Sequence, residues 1–169
     1  MKFYQLNFYF LLFYFCFSSF AYSGDKIALI DLDLVLKNSN LGKSILKEIE
    51  LLNNNNINEL KNKEKELKKT EDEIKQKQNI ISNEEFQKEV DILKKKVNQY
   101  RKLKDKMVKN FENKRNENLS NFFQKISPII QDYMDKNSID ILIERKNVFI
   151  GKTESDITNQ IIKIVDQNL

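Results

Sequence analysis

The most regular pattern in the chain runs from Phe86 to Phe111. Phe86, Val90, Leu93, Val97, Tyr100, Lys104, Met107 and Phe111 follow steps of four and three. That spacing is the seam of a helix wrapped on a partner helix. Upstream, Leu60, Leu67, Ile74 and Ile81 fall seven apart, also in seam register. Between the two runs lies Ser82-Asn83-Glu84-Glu85, in which Ser82 caps a new helix and Glu85, three residues on, completes a capping box. The pattern predicts a long helix out, a tight reversal near Ile81 to Asn83, and a long helix back, over about Leu41 to Met134. The outgoing helix is the weaker one. With Leu60, Leu67 and Ile74 at d, the a positions fall on Glu64, Glu71 and Gln78, and polar a positions cost packing energy. A splayed hairpin pinned by one seam is expected, with bending and fraying toward its tip.

The flanks of this hairpin read differently. Lys26 to Leu32 (KIALIDL) is apolar on both faces, which suggests a strand covered on both sides. Leu34-Val35-Leu36 then forms a single helical turn, and Asn38-Ser39-Asn40 caps the outgoing helix, where Leu41, Ile45, Ile49 and Leu52 keep helical spacing. Near Phe122-Phe123, Ile126 and Ile129-Ile130 the apolar stripe broadens, as it does when a helix leaves a narrow seam for a larger core. Pro128 is expected to bend the helix at about this junction. Ile139 to Glu144 (IDILIE) reads as a second strand, Arg145-Lys146 as a short reversal, and Asn147 to Ile150 (NVFI) as a third strand closed by Gly151. Thr153 to Asp156 caps a last helix with the face Ile157, Ile161, Ile164 and Val165.

The fold class is therefore α+β. A long antiparallel helical hairpin is inserted after strand 1 of a small body of three strands and a C-terminal helix. The expected division is 1–23 as a signal peptide, 24–40 and 130–169 as the body, and 41–129 as the arm. Such a body is smaller than domains that usually fold unaided. Its largely apolar faces imply that several copies merge their sheets into one core. The residues expected in that shared core are Ile27, Leu29, Ile30, Ile139, Ile141, Ile143, Phe149 and Ile161.

Composition changes this picture at the N-terminus. Met1-Lys2, an uncharged apolar run from Phe8 to Phe17, and Ala21-Tyr22-Ser23 are the parts of a secretory signal peptide cleaved before Gly24. An uncleaved anchor is the alternative, and the run is short for a bilayer span. Cys16, the only cysteine, follows Phe13-Tyr14-Phe15 rather than small residues, which argues against lipidation. Residues 24–169 hold no cysteine, histidine or tryptophan, so an exported product has no disulfide and is expected to gain stability by association. The net charge of +4 is too mild to identify a partner. Its distribution says more: Lys94 to Arg115 holds ten basic residues against Asp105 and Glu112. A solvated helix face is the plain explanation of such a run.

The chemistry the sequence lacks is also informative. Without histidine or mature cysteine there is no His-based triad, no thiol chemistry and no common zinc site. Three glycines in all leave no Gly-rich phosphate cradle. Asp31 and Asp33, at the end of the first strand, suit helix capping better than catalysis. The chain does not read as an enzyme, and no cofactor is expected.

KIALIDLDLVL, the helix start Ser39-Asn40-Leu41-Gly42-Lys43, the long charged hairpin, IDILIE, and Asp156-Ile157-Thr158 before the last helix together resemble the Skp (OmpH-like) family of periplasmic chaperones. The resemblance spans residues 24–169 in order. It implies a homotrimer whose strands form a small barrel-like body, with three hairpins extending around a central cavity. It further implies that unfolded outer-membrane proteins are held there without ATP. On that reading Lys94, Lys95, Lys96, Arg101 and Lys102 form a basic face that attracts acidic clients over long range. Lipopolysaccharide or a membrane surface is a second candidate partner, with no specific motif to carry it. The Asn-rich outgoing arm and the modest charge depart from a family whose members are often strongly basic. The competing reading is an envelope coiled-coil scaffold whose arms bind one folded partner. Nucleic acid is not expected, because a nucleic-acid-binding role would draw only on the lysine run and conflicts with export.

Overall fold

The computed structural model describes residues 24–169; the expected signal peptide lies outside the described residues. In chain order the elements are β1 (Ile27–Ile30), α1 (Leu32–Asn38), α2 (Asn40–Lys77), α3 (Asn83–Lys136), β2 (Ile141–Glu144), two 3-10 turns (Arg145–Asn147 and Thr153–Ser155) and α4 (Thr158–Asn168). Helix dominates, and the sheet has two strands.

β1 and β2 are parallel, in register from Ile27↔Ile141 to Ile30↔Glu144. Parallel neighbours cannot be joined by a tight turn and need a crossover. Here the crossover is the α2–α3 hairpin itself, so the arm is a strand-to-strand connection drawn out to great length. At roughly 1.5 Å per residue, the 38 residues of α2 reach about 57 Å. The reversal occupies 78–82, starting earlier than the Ile81 to Asn83 expected from the pattern, and its capping box forms as the sequence predicts. The Ser82 hydroxyl accepts the Glu85 N–H at 3.3 Å, and the Glu85 carboxylate accepts the Ser82 N–H at 3.2 Å.

The root of the arm is tied at both ends. On the outgoing side Ser39, fully buried, ends α1 and starts α2; its N–H donates to the Val35 carbonyl and its hydroxyl accepts the Gly42 N–H at 3.1 Å. The next donor, the Asn40 N–H, goes to the Asp166 carboxylate at 2.6 Å. That carboxylate sits in the last turn of α4 but at the positive end of α2, where a negative charge is favourable. On the returning side α3 ends with Ser138 in the left-handed region, φ 53°. Ile139 N–H bonds the Met134 carbonyl at 3.0 Å and Ser138 N–H the Asp135 carbonyl at 3.3 Å, closing the helix and turning the chain into β2. Lys26 and Asp140 then zip the strand starts together through two hydrogen bonds of 2.7 and 2.9 Å.

One face of the sheet and the inner sides of the helices share a single core. Ala28, Ile30, Val35, Phe122, Ile126, Ile161 and Val165 are buried in it. The broadened stripe of α3 thus enters this core at Phe122, as its width suggested.

The third strand expected at Asn147 to Ile150 does not form in the single chain; the described residues hold two strands rather than three. A two-residue hairpin wants residues at positive φ. Arg145 and Lys146 instead enter a right-handed 3-10 turn, and Ser138 is the only non-glycine residue at positive φ among the described residues. The turn carries the following segment off the edge of β2 and over the sheet, where Gly151 lies against Leu29. A Cβ there would come within 2.7 Å of Leu29 Cδ1.

The far edge of β1 is held by Asp156-Ile157-Thr158. Ile157 N–H donates to the Leu29 carbonyl at 2.9 Å, and Asp31 N–H donates to the Thr158 hydroxyl at 2.8 Å. Asp156 accepts from the Thr158 hydroxyl, the Thr158 N–H and the Arg145 guanidinium. Burial pushes the Asp156 carboxyl up, yet these hydrogen bonds and the Arg145 charge outweigh burial and hold it below its ordinary value. A depressed folded-state value contributes stability above the unfolded carboxylate range, and that contribution is lost as pH falls through the folded value. Asp156→Asn is therefore expected to cost about 1–3 kcal/mol near neutrality. The difference from the parent should shrink below about pH 4, near the ordinary aspartate value. Urea midpoints at pH 7 and pH 3.5 measure it, and an equal deficit at both would refute the ionised role.

Candidate functional site

Two surfaces stand out, one on the body and one on the arm. On the body, the register pair Ile27 and Ile141 is 47% and 42% exposed, beside a β2 edge with no strand on it among the described residues. Phe149 and Ile150, in the segment expected as strand 3, are 98% and 82% exposed. An apolar row beside an open strand edge invites pairing with another chain. Of the residues expected in a shared core, Leu29, Ile30, Ile139 and Ile161 are buried within the chain itself, Ile143 is half-buried, and Ile27, Ile141 and Phe149 face outward. The sequence could not separate these groups. Alternation tells which residues share a face but not which face the same chain covers.

On the arm, the seam departs from the strict four-and-three spacing. Leu103 is half-buried and Lys104 exposed, so the seam passes through 100, 103 and 107. At 3.6 residues per turn a helix drifts against a seven-residue repeat, and a step of three brings the leucine inward while lysine reaches water. Glu64 and Glu71 on α2 and Gln78 just past its end are exposed, and Asn56 and Thr70 face inward half-buried instead. Glu71 is bonded to Lys75 one turn on at 2.7 Å, which lowers its carboxyl below the ordinary value. The signal for Asn56 was legible: Leu52, Asn56 and Leu60 step by four, with an amide in the middle.

Asn56 and Lys63 each line an open cleft between α2 and α3, of about 500 and 430 Å³ respectively. The first is floored by Leu52, Met107 and Phe111, the second by Leu67 and Tyr100, and Leu103 lines both.

Lys94, Lys95, Lys96, Arg101 and Lys102 are all exposed. Lys94 pairs with Asp91 at 3.2 Å, an exposed pair of little energetic weight. Lys95, Lys96, Arg101 and Lys102 form no ion pair among the described residues. The five do not make one stripe. At 100° per residue Lys94 and Arg101 share one line, Lys95 and Lys102 a second, and Lys96 a third, spread over about 220° of the helix. The positive charge surrounds α3, and only Lys96 lies on a cleft. No cluster of three or more His, Cys, Asp or Glu suited to a metal occurs among the described residues, and none of their helices is long and apolar enough to cross a membrane.

The family profile described as Outer membrane protein (OmpH-like) matches residues 26–165. Among solved structures, an OmpH-like outer membrane chaperone from Caulobacter crescentus CB15, so described, superposes with a TM-score of 0.79 at 17% identity, covering 87% of each chain. At that identity the likeness speaks for the fold. A search of the curated proteins found no match.

Proposed function

The chain belongs to the OmpH-like family of outer membrane proteins, and from that premise we propose that it is an ATP-independent periplasmic holdase. In this reading three copies join through their bodies, and their arms enclose a cavity in which unfolded outer-membrane proteins are kept from aggregating. The description of the Caulobacter crescentus relative as an outer membrane chaperone supports the chaperone role. The signal-like pattern at 1–23 supports the compartment.

The observation that carries the proposal is the set of apolar side chains the body leaves outward, the paired Ile27 and Ile141 together with Phe149 and Ile150. Exposing it in a monomer is unfavourable, at roughly 25 cal/mol per Å² of apolar surface left in water. Association around the body hides it and points every arm the same way. Segment 147–150 then has a neighbouring edge to pair with, which it lacks in the single chain. The unpaired lysines around α3 give a diffuse positive field for acidic clients rather than a recognition site.

Native mass spectrometry of the mature chain, with and without an unfolded outer-membrane protein, tests this directly. The expected result is a three-chain mass that takes up one client, with aggregation suppressed at stoichiometric ratio without nucleotide. A stable monomer that leaves aggregation unchanged would sink the proposal. Leu103, which fills the seam where a lysine was expected, favours a stiffer arm and so the scaffold reading. That reading requires tight binding to one folded protein and indifference to unfolded ones.

A further inference from the structure

The two arm clefts are one groove. On α3, Lys96, Leu103, Asn110 and Glu117 are seven apart and line one cleft or the other. On α2, Asn56, Lys63 and Thr70 are likewise seven apart and line the opposite wall. Residues seven apart lie two turns along the same side of a helix. The clefts therefore open end to end on one side of the hairpin and meet at Leu103.

We propose that this groove is a docking site for one extended segment of an unfolded client, a segment whose apolar side chains alternate with polar or acidic ones. This rests on the holdase reading and locates part of the binding on each arm rather than in the space between arms. Length is the first argument. From Lys96 to Glu117 the groove runs about 32 Å, which holds about nine or ten residues of extended chain. One membrane-spanning β-strand has about that many. Chemistry is the second. The floor of Leu67, Tyr100, Leu103, Met107 and Phe111 takes the apolar side chains of one strand face. Amides from Asn56, Gln99, Asn110 and Asn113 lie along the groove. An unpaired strand still needs hydrogen bonds for its backbone, and these amides supply both donors and acceptors. Charge is the third. Lys63 and Lys114 are paired with Glu66 and Glu117, whereas Lys96 and Lys106 have no ion-pair partner among the described residues. The groove is net positive and complements acidic residues on the outward face of the strand.

Residues 24–169 contain no cysteine, so single labels are unambiguous. Gln99→Cys and Asn113→Cys on the groove, and Asp105→Cys and Glu112→Cys on the other side of α3, are labelled with an environment-sensitive fluorophore. The full mature chain is then mixed with an unfolded outer-membrane barrel protein. A blue shift at 99 and 113 with little change at 105 and 112 is expected. An equal response on both sides, or none at the groove, overturns the inference. A groove response that appears on concentrating the protein without client also overturns it, since a second copy is then the occupant. Asn56→Leu provides a second measurement, because it fills the groove floor and completes the seam. It should leave the melting temperature equal or higher while weakening client binding roughly three- to tenfold, about 1 kcal/mol in binding terms. Unchanged affinity counts against the groove. Aggregation suppression by the unsubstituted chain separates the two ideas. If suppression holds and the groove is silent, the groove alone fails; if suppression itself is absent, both readings fail.

Discussion

Replacing Phe122 with alanine is expected to lower the unfolding free energy by about 3–5 kcal/mol, the range for removing a buried aromatic ring from a packed core. Phe122 is completely buried and belongs to the cluster that joins the arm to the sheet and to α4. Its neighbour supplies the control. Phe123 packs edge-on against it, ring centres 5.4 Å apart, but is 37% exposed. Phe123→Ala should cost clearly less, since much of its ring already meets water. A few kcal/mol is a large share of the roughly 5–15 kcal/mol that holds a typical domain, so the Phe122 variant should unfold at a clearly lower urea concentration than the parent. Urea unfolding followed at 222 nm, with all variants at the same protein concentration, decides the matter. Association makes apparent stability depend on concentration, so that concentration must be held constant. Equal losses at 122 and 123 would show that the junction is not the centre of the core.

Gly42→Ala carries the second large effect, and its sign opposes helix propensity. In a helix, glycine to alanine normally gains up to about 1 kcal/mol. Here a Cβ would lie 1.9 Å from the Leu36 carbonyl oxygen and 2.6 Å from its carbonyl carbon. Those are backbone atoms of the preceding helix and cannot turn aside as a flexible side chain would. The two helices must separate, straining the buried Ser39 cap that joins them. A net loss of about 1–3 kcal/mol is expected, as for other overpacked sites. The arm should also leave the body at a changed angle, since α2 starts at that contact. Distances between spin labels near the arm tip and on α4 report the angle, and urea midpoints report the loss. A neutral or stabilising Gly42→Ala would mean that the close approach is not needed.

Much of the architecture was legible in the order of residues. The reversal was written in Ser82 and Glu85, because a capping box is a local contact that needs no distant partner. The lengths of the arm helices followed from an apolar periodicity that a helix either sustains or loses. Ser39 as a cap and Phe122 as the entry to the core were read the same way. The family was evident too, from the succession of weak local motifs rather than from any one of them.

Other features depended on what lies across from a residue. Lys104 and Leu103 are adjacent, and only the drift of α3 along α2 puts the leucine on the seam. Asn56 keeps the step of four between Leu52 and Leu60, yet only the structure shows the cleft that it lines. The third strand failed in the single chain because a strand is defined by its partner, and the Arg145–Asn147 turn takes segment 147–150 away from the open edge of β2. The capping of α2 by Asp166 could not be read locally, since 126 positions separate Asp166 from Asn40. Sequence alone thus determined the two helices of the arm and the capping of its turn, which rest on periodicity and on contacts within a few residues. Tertiary structure decided which apolar side chains are spent inside the chain and which are left outward, because that depends on contacts between segments distant in sequence.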